Sequence, residues 1–132
     1  MTTKIERLID ANFNRLKEAL RLLEDTQRYI FDNKELSYAF KSLRHSLTPL
    51  FSSARVLHRD IEGDVAKTSI DSEMQREELI DLINANFFRA QESARVLEEA
   101  FKLSNPANSA TAKNIRYALY GLHKKVLKDL LE

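Results

Sequence analysis

Apolar residues recur along this chain in steps of three and four, the period of one helix face, in four stretches separated by polar breaks. The first stretch carries Ile5, Leu8, Ile9, Leu16, Leu20, Leu23 and Ile30, opens on a capping box of Thr3 and Glu6, and predicts a helix to about Phe31. Asp32 and Asn33 supply a turn and the next cap, after which Leu36, Phe40, Leu43, Leu47, Leu50, Ala54 and Leu57 form a second seam. Pro49 falls inside that seam, where its missing amide and ring clash predict a bent helix. The pattern then lapses from Arg59 to Asp71, where Gly63 permits a tight backbone. Ser72 with Gln75 has the form of a capping box for a third helix through Leu79, Ile83, Phe87, Ala90, Ala94, Leu97 and Phe101, which the Ser104-Asn105-Pro106 cluster stops. A fourth helix from about Ser109 carries Ala112, Ile115, Leu119, Leu122, Val126 and Leu130.

The first and third stretches are copies. Leu8, Ile9, Ala11, Asn12, Phe13, Arg15, Glu18, Arg21, Leu23 and Glu24 return in order as Leu82, Ile83, Ala85, Asn86, Phe87, Arg89, Glu92, Arg95, Leu97 and Glu98. In the second arms Leu43-Arg44 aligns with Ile115-Arg116, Leu47 with Leu119, and Pro49 with Gly121. The reading is an all-α, four-helix bundle made of two tandemly duplicated hairpins related by a pseudo-twofold. It forms one domain over residues 1–132, with repeat one at about 3–58, a linker at 59–71 and repeat two at about 72–131.

Composition narrows the partners. The 132 residues carry 21 Lys and Arg against 20 Asp and Glu, so no global field favours nucleic acid or an anionic membrane, and an anionic ligand must be met locally. No cysteine is present, no apolar run reaches the length of a membrane span, and the polar N-terminus lacks a signal-peptide core, which together lead to the expectation of a cytoplasmic protein.

Helical geometry puts Asn12 inside the apolar stripe, and Asn86 likewise. A buried amide needs partners, so each Asn requires the other, a helix backbone or a ligand. Arg15, Glu18, Arg21, Glu24 and Asp25, with counterparts Arg89, Glu92, Arg95, Glu98 and Glu99, form either a solvated ion-pair ladder or a functional face. Neighbouring positions have drifted, Asn14 to Phe88 and Lys17 to Gln91, while the Arg and Glu positions have kept their identity. Leu22, Tyr29, Phe88, Val96 and Leu103 form a second, semi-apolar face, which predicts packing against another subunit in a homodimer. In the linker, Asp60 and Asp64 beside Arg59, Gly63 and Lys67 suit either an acidic solvated connector or Mg²⁺, which takes one or two carboxylates and leaves its other positions to water and phosphate. There is no Gly-rich phosphate loop, and His45, His58 and His123 lack metal-ligand spacing, although His45 follows Arg44 and lies within reach of a site.

The repeated Asn-x-x-Arg-x-x-Glu-x-x-Arg-x-Leu-Glu, with Leu43-Arg44-His45 and Arg59-Asp60-x-x-x-Asp64-Val65 between the copies, resembles a small hydroxymethylpyrimidine-phosphate kinase family of thiamine biosynthesis. That family occurs alone or fused before a thiamine-phosphate synthase barrel, and this chain resembles the stand-alone form, with Ala66 where the family often has Gly. The resemblance implies ATP-dependent conversion of 4-amino-5-hydroxymethyl-2-methylpyrimidine phosphate to its diphosphate, without action on the free alcohol, and a functional link to the synthase. Phosphoryl transfer depends on positioning and charge neutralisation, so Arg15, Arg21, Arg59, Arg89 and Arg95 become candidate phosphate clamps. Asp60 and Asp64 become candidate Mg²⁺ ligands, with Asp64 also assigned to the catalytic set. Asn12 or Asn86 can read the aminopyrimidine edge, and Glu18, Glu92 and His45 complete the candidate substrate-binding group. Two rival readings are a non-catalytic dimeric helical module, and a helical mutase of the chorismate mutase kind that needs no metal.

Overall fold

A computed structural model describes residues 2–70 and 75–132 of the chain. Among these there is no strand, and the elements are α1 (Thr2–Asp25), α2 (Lys34–His45), α3 (Ser53–Val56), α4 (Leu79–Phe101) and α5 (Pro106–Leu131). The long helices α1 and α4 pack antiparallel at the centre, with α2 and the short α3 against α1 and α5 against α4. Two hairpins therefore join through their first arms, as the duplication requires. The core is the predicted seams: Ile9, Leu16, Leu20, Phe40, Ile83, Phe87, Leu97 and Leu119 are all fully buried.

Local chemistry explains most of the helix ends. Helix α1 continues through a wider π-turn (Thr26–Ile30), in which the Thr26 hydroxyl donates to the Leu23 carbonyl at 2.8 Å, and closes at Asp32, whose φ of 51° reverses the chain. Asn33 then caps α2 by accepting the Leu36 amide at 2.9 Å, as its position predicts. At the other hairpin Asn105 caps α5 and Pro106 takes the first turn, so this helix starts three residues before Ser109.

Three expectations need correction. Thr3 lies inside α1 and Glu6 accepts from Arg55 instead, so the two do not form a capping box. The second seam is not one bent helix: α2 stops at His45, a single 3₁₀ turn spans Thr48–Leu50, and α3 is one turn long. Pro49 has no amide to donate, and the hydroxyls of Ser46 and Thr48 take the carbonyls of Leu43 and His45. Beyond this break Ala54 and Leu57 are exposed rather than in the seam. Ser72 lies outside the described residues, Gln75 is not helical, and α4 opens at Glu78, whose amide donates to the Asp81 carboxylate.

The duplication reaches the buried polar groups. Glu24 pairs with Arg44 at 2.9 Å, and its counterpart Glu98 pairs with Arg116 at 3.0 Å. Asn12 donates to the Leu8 carbonyl and Asn86 to the Leu82 carbonyl, so each amide is satisfied one turn back along its own helix. The copies diverge where Phe13 meets Phe51 but Phe87 stacks on His123 at 4.3 Å. The His123 imidazole bridges Asn84 and Gln91, and burial holds its pKa below the ordinary value of 6.5. The unfolded chain therefore takes up that proton first. Stability should fall as pH drops below about 6.5 and level off once the folded-state ring also protonates. Urea midpoints between about pH 7.5 and 5.5 should show a smaller decline in His123→Phe than in wild type, and equal declines would remove His123 as a source.

Candidate functional site

Two clefts meet on the α1 side of the central helix pair. The first, about 490 Å³, runs along the N-terminal half of α1 beneath the linker and is lined by Lys4, Arg7, Asp10, Asn12, Arg15, Arg59, Asp60 and Asp64, among others. The second, about 390 Å³, lies between α1 and α4 and is lined by Asn12, Arg15, Ala85, Phe88, Arg89, Glu92, Ser93 and Val96. Asn12 and Arg15 belong to both, which makes the two spaces neighbours.

The linker is held over the first cleft by named contacts. Arg59 forms a two-pronged pair with Asp10, Nε to Oδ2 at 2.8 Å and Nη2 to Oδ1 at 2.9 Å, with the Asp10 side chain only 6% exposed. That hydrogen-bonded carboxylate raises the Arg59 pKa further and keeps the guanidinium charged. Arg7 donates to the Asp60 carbonyl as a second tether. Asp60 folds its own loop by accepting the Gly63 amide at 2.7 Å, and a β-carbon at Gly63 would collide with that carboxylate, so glycine serves here for close approach. Asp64 accepts the Ala66 amide at 3.0 Å. Each of these carboxylates commits one oxygen to a backbone turn and leaves the other available.

Among the described residues no cluster of three or more His, Cys, Asp or Glu side chains forms a ready metal cage. Asp60 and Asp64 nevertheless line one cleft together with the cations Lys4, Arg7, Arg15 and Arg59. That donor set fits a hard cation held by one or two carboxylates and completed by phosphate oxygens and water, the usual habit of Mg²⁺.

Of the residues singled out from sequence, Asn12, Arg15, Arg59, Asp60 and Asp64 gather at the first cleft, and Arg89 and Glu92 join Asn12 and Arg15 at the second. The remainder lie elsewhere. Arg21 and Glu18 border an apolar groove with Leu22, Tyr29, Ile30, Leu79 and Leu82. Arg95 turns to Glu98 and Glu99, Asn86 is buried against its own helix, and His45 is exposed at the end of α2. Sequence reasoning missed Asp10, Arg7, Lys4 and Phe88 as cleft residues. Asp10 had a signal: it is a charge beside the seam residue Ile9, and the other copy has Asn84 at that position, which binds His123.

No described helix is long and apolar enough to cross a membrane. The ThiD2 family model matches residues 7–125. The chain is 38% identical over 130 residues to a thiamine-phosphate synthase of Synechocystis, covering 98% of this chain and 38% of that protein. It is 35% identical over 136 residues to a thiamine-phosphate synthase of Synechococcus, covering 97% of this chain and 37% of the relative. A synthase of Nostoc punctiforme is 32% identical over 124 residues, or 93% of this chain and 35% of the relative. The chain thus spans little more than a third of these curated relatives. No solved structure gives a significant match. With the family model matching nearly its whole length, the chain belongs to the ThiD2 family of thiamine biosynthesis.

Proposed function

We propose that this chain is a kinase that transfers the γ-phosphoryl group of ATP to 4-amino-5-hydroxymethyl-2-methylpyrimidine phosphate, yielding the diphosphate. What supports the reading is the convergence, on two adjoining clefts, of guanidinium groups from both copies with the two linker carboxylates. A phosphate oxygen of the acceptor attacks the γ-phosphorus, the bond to the β,γ-bridging oxygen breaks, and ADP departs. The charge that spreads over the phosphoryl oxygens needs fixed cations, and Arg15 and Arg59 are the candidates to supply them, Arg59 oriented by Asp10. Magnesium arriving with the nucleotide would neutralise phosphate charge, held by Asp60 and Asp64. The linker above the cleft limits access of water to the phosphates. The curated relatives are named thiamine-phosphate synthases, and a pyrimidine diphosphate is the kind of activated product that such a synthase would consume.

The Asp64→Asn variant tests this reading. Asparagine keeps the oxygen that accepts the Ala66 amide but removes the charge, so turnover should fall at least about tenfold while the melting temperature stays within about 2 °C of wild type. Turnover at the wild-type level would take Asp64 out of the site. A homodimer is part of the proposal: of the semi-apolar face expected to form it, Leu22 and Tyr29 border a groove with Ile30 and Leu79, whereas Phe88 and Val96 line the cleft between α1 and α4 instead. A single monomer mass by light scattering would exclude the dimer.

A further inference from the structure

The two clefts differ in chemistry more than in size. The first is walled by Lys4, Arg7, Arg15 and Arg59 with two linker carboxylates, a lining for several phosphates and a cation. The second has an apolar wall of Phe88 and Val96 with Arg89 and Glu92 beside it, a lining for one flat ring with one anionic group. Phe88 is 51% exposed, and its ring is set edge-on against His123 at 5.5 Å and 80°, which fixes its orientation from one side. Nothing in the duplication asks for this ring, since the other copy has Asn14 at the equivalent place. Among the described residues the Arg89 guanidinium has no ion-pair partner, unlike Arg95 one turn and a half further on.

Building on the kinase reading, we infer that the cleft between α1 and α4 is the pyrimidine subsite, with Phe88 as the stacking platform, and that the cleft under the linker takes the nucleotide. The Glu92 carboxylate accepts from the exocyclic amine of the ring, and Arg89 binds the substrate phosphate. Arg15 stands where the two spaces meet, beside both the acceptor phosphate and the γ-phosphoryl group. A ligand without a phosphate loses the hold of Arg15 and Arg89 together, which gives a physical basis for rejecting the free alcohol.

Steady-state kinetics on variants of the full chain separates the subsites. Phe88→Ala should raise KM for the pyrimidine monophosphate about tenfold or more, with KM for ATP within about twofold of wild type. Phe88→Tyr, which keeps the ring, should restore most of the loss, and Arg7→Ala should do the reverse, raising KM for ATP alone. A Phe88→Ala enzyme with an unchanged pyrimidine KM, or with the defect in ATP instead, overturns the subsite assignment and leaves the kinase reading standing. Absence of ADP release from the wild-type chain is the separate result that overturns the kinase reading itself.

Discussion

Replacing Arg15 by Ala should lower kcat/KM by about 100- to 1,000-fold, the range seen when one fixed donor to developing charge is removed from an acyl-transfer oxyanion hole. Arg15 is the cation common to both clefts; in the proposed kinase its loss should weaken the contact to either substrate and the contact that strengthens as the phosphoryl group moves between them. The residue is exposed, and its hydrogen bond to Asn12 is long at 3.5 Å, so the folded state should hardly change. Arg15→Lys should recover only a small part of the activity, because an ammonium lacks the forked geometry that meets two phosphate oxygens. A fall of less than about threefold in Arg15→Ala would show that the junction of the clefts is not where transfer occurs.

The largest loss of stability is expected from Arg44→Met, at about 3–5 kcal/mol, because it strands the Glu24 carboxylate without its cation. Glu24 is 3% exposed and pairs with Arg44 through two hydrogen bonds, at 2.9 and 3.4 Å. In the other copy Arg116→Met should cost less, since Glu98 retains Arg95 at 3.3 Å. Removing both charges in a Glu24→Leu/Arg44→Met double variant should return much of the lost stability, as apolar replacements of buried pairs often do. Chemical denaturation of the three variants checks the order, and equal losses in the two copies would deny that Arg95 acts as a reserve partner.

That contrast between copies also shows what the sequence makes readable. The seams are legible because burial of one helix face leaves a period of three and four, and residues such as Ile9, Leu16, Phe87 and Leu97 fall in the core where that period puts them. The Asn33 cap and the end of α4 are legible because capping and helix termination are local chemistry. The two ion pairs were within reach as well: Glu24 with Arg44 and Glu98 with Arg116 occupy matching places in the two hairpins, and a charge preserved on both arms of a repeat is a pairing signal.

Long-range geometry was harder to read. Asp10 looks like one more surface charge until Arg59, 49 residues away, folds back onto it. Whether Pro49 bends or ends a helix depends on what the flanking hydroxyls do, and here Ser46 and Thr48 favour the break. The stripe of repeated Arg and Glu residues gives no sign of where the cleft stops. Arg15 and Arg89 sit near the middle of the antiparallel pair and share a space, whereas Arg21 and Arg95, about one turn and a half further along, are carried to opposite ends. Antiparallel packing around the pseudo-twofold brings together only equivalent residues near the axis, which is why two of the repeated arginines meet and the others do not.

Release of ADP by the purified chain, supplied with ATP, Mg²⁺ and the pyrimidine monophosphate, tests the proposed activity most directly, with the unphosphorylated pyrimidine alcohol as control. The expected outcome is ADP and pyrimidine diphosphate in equal amounts from the monophosphate, and no ADP from the alcohol. A folded chain that releases no ADP with either compound would contradict it.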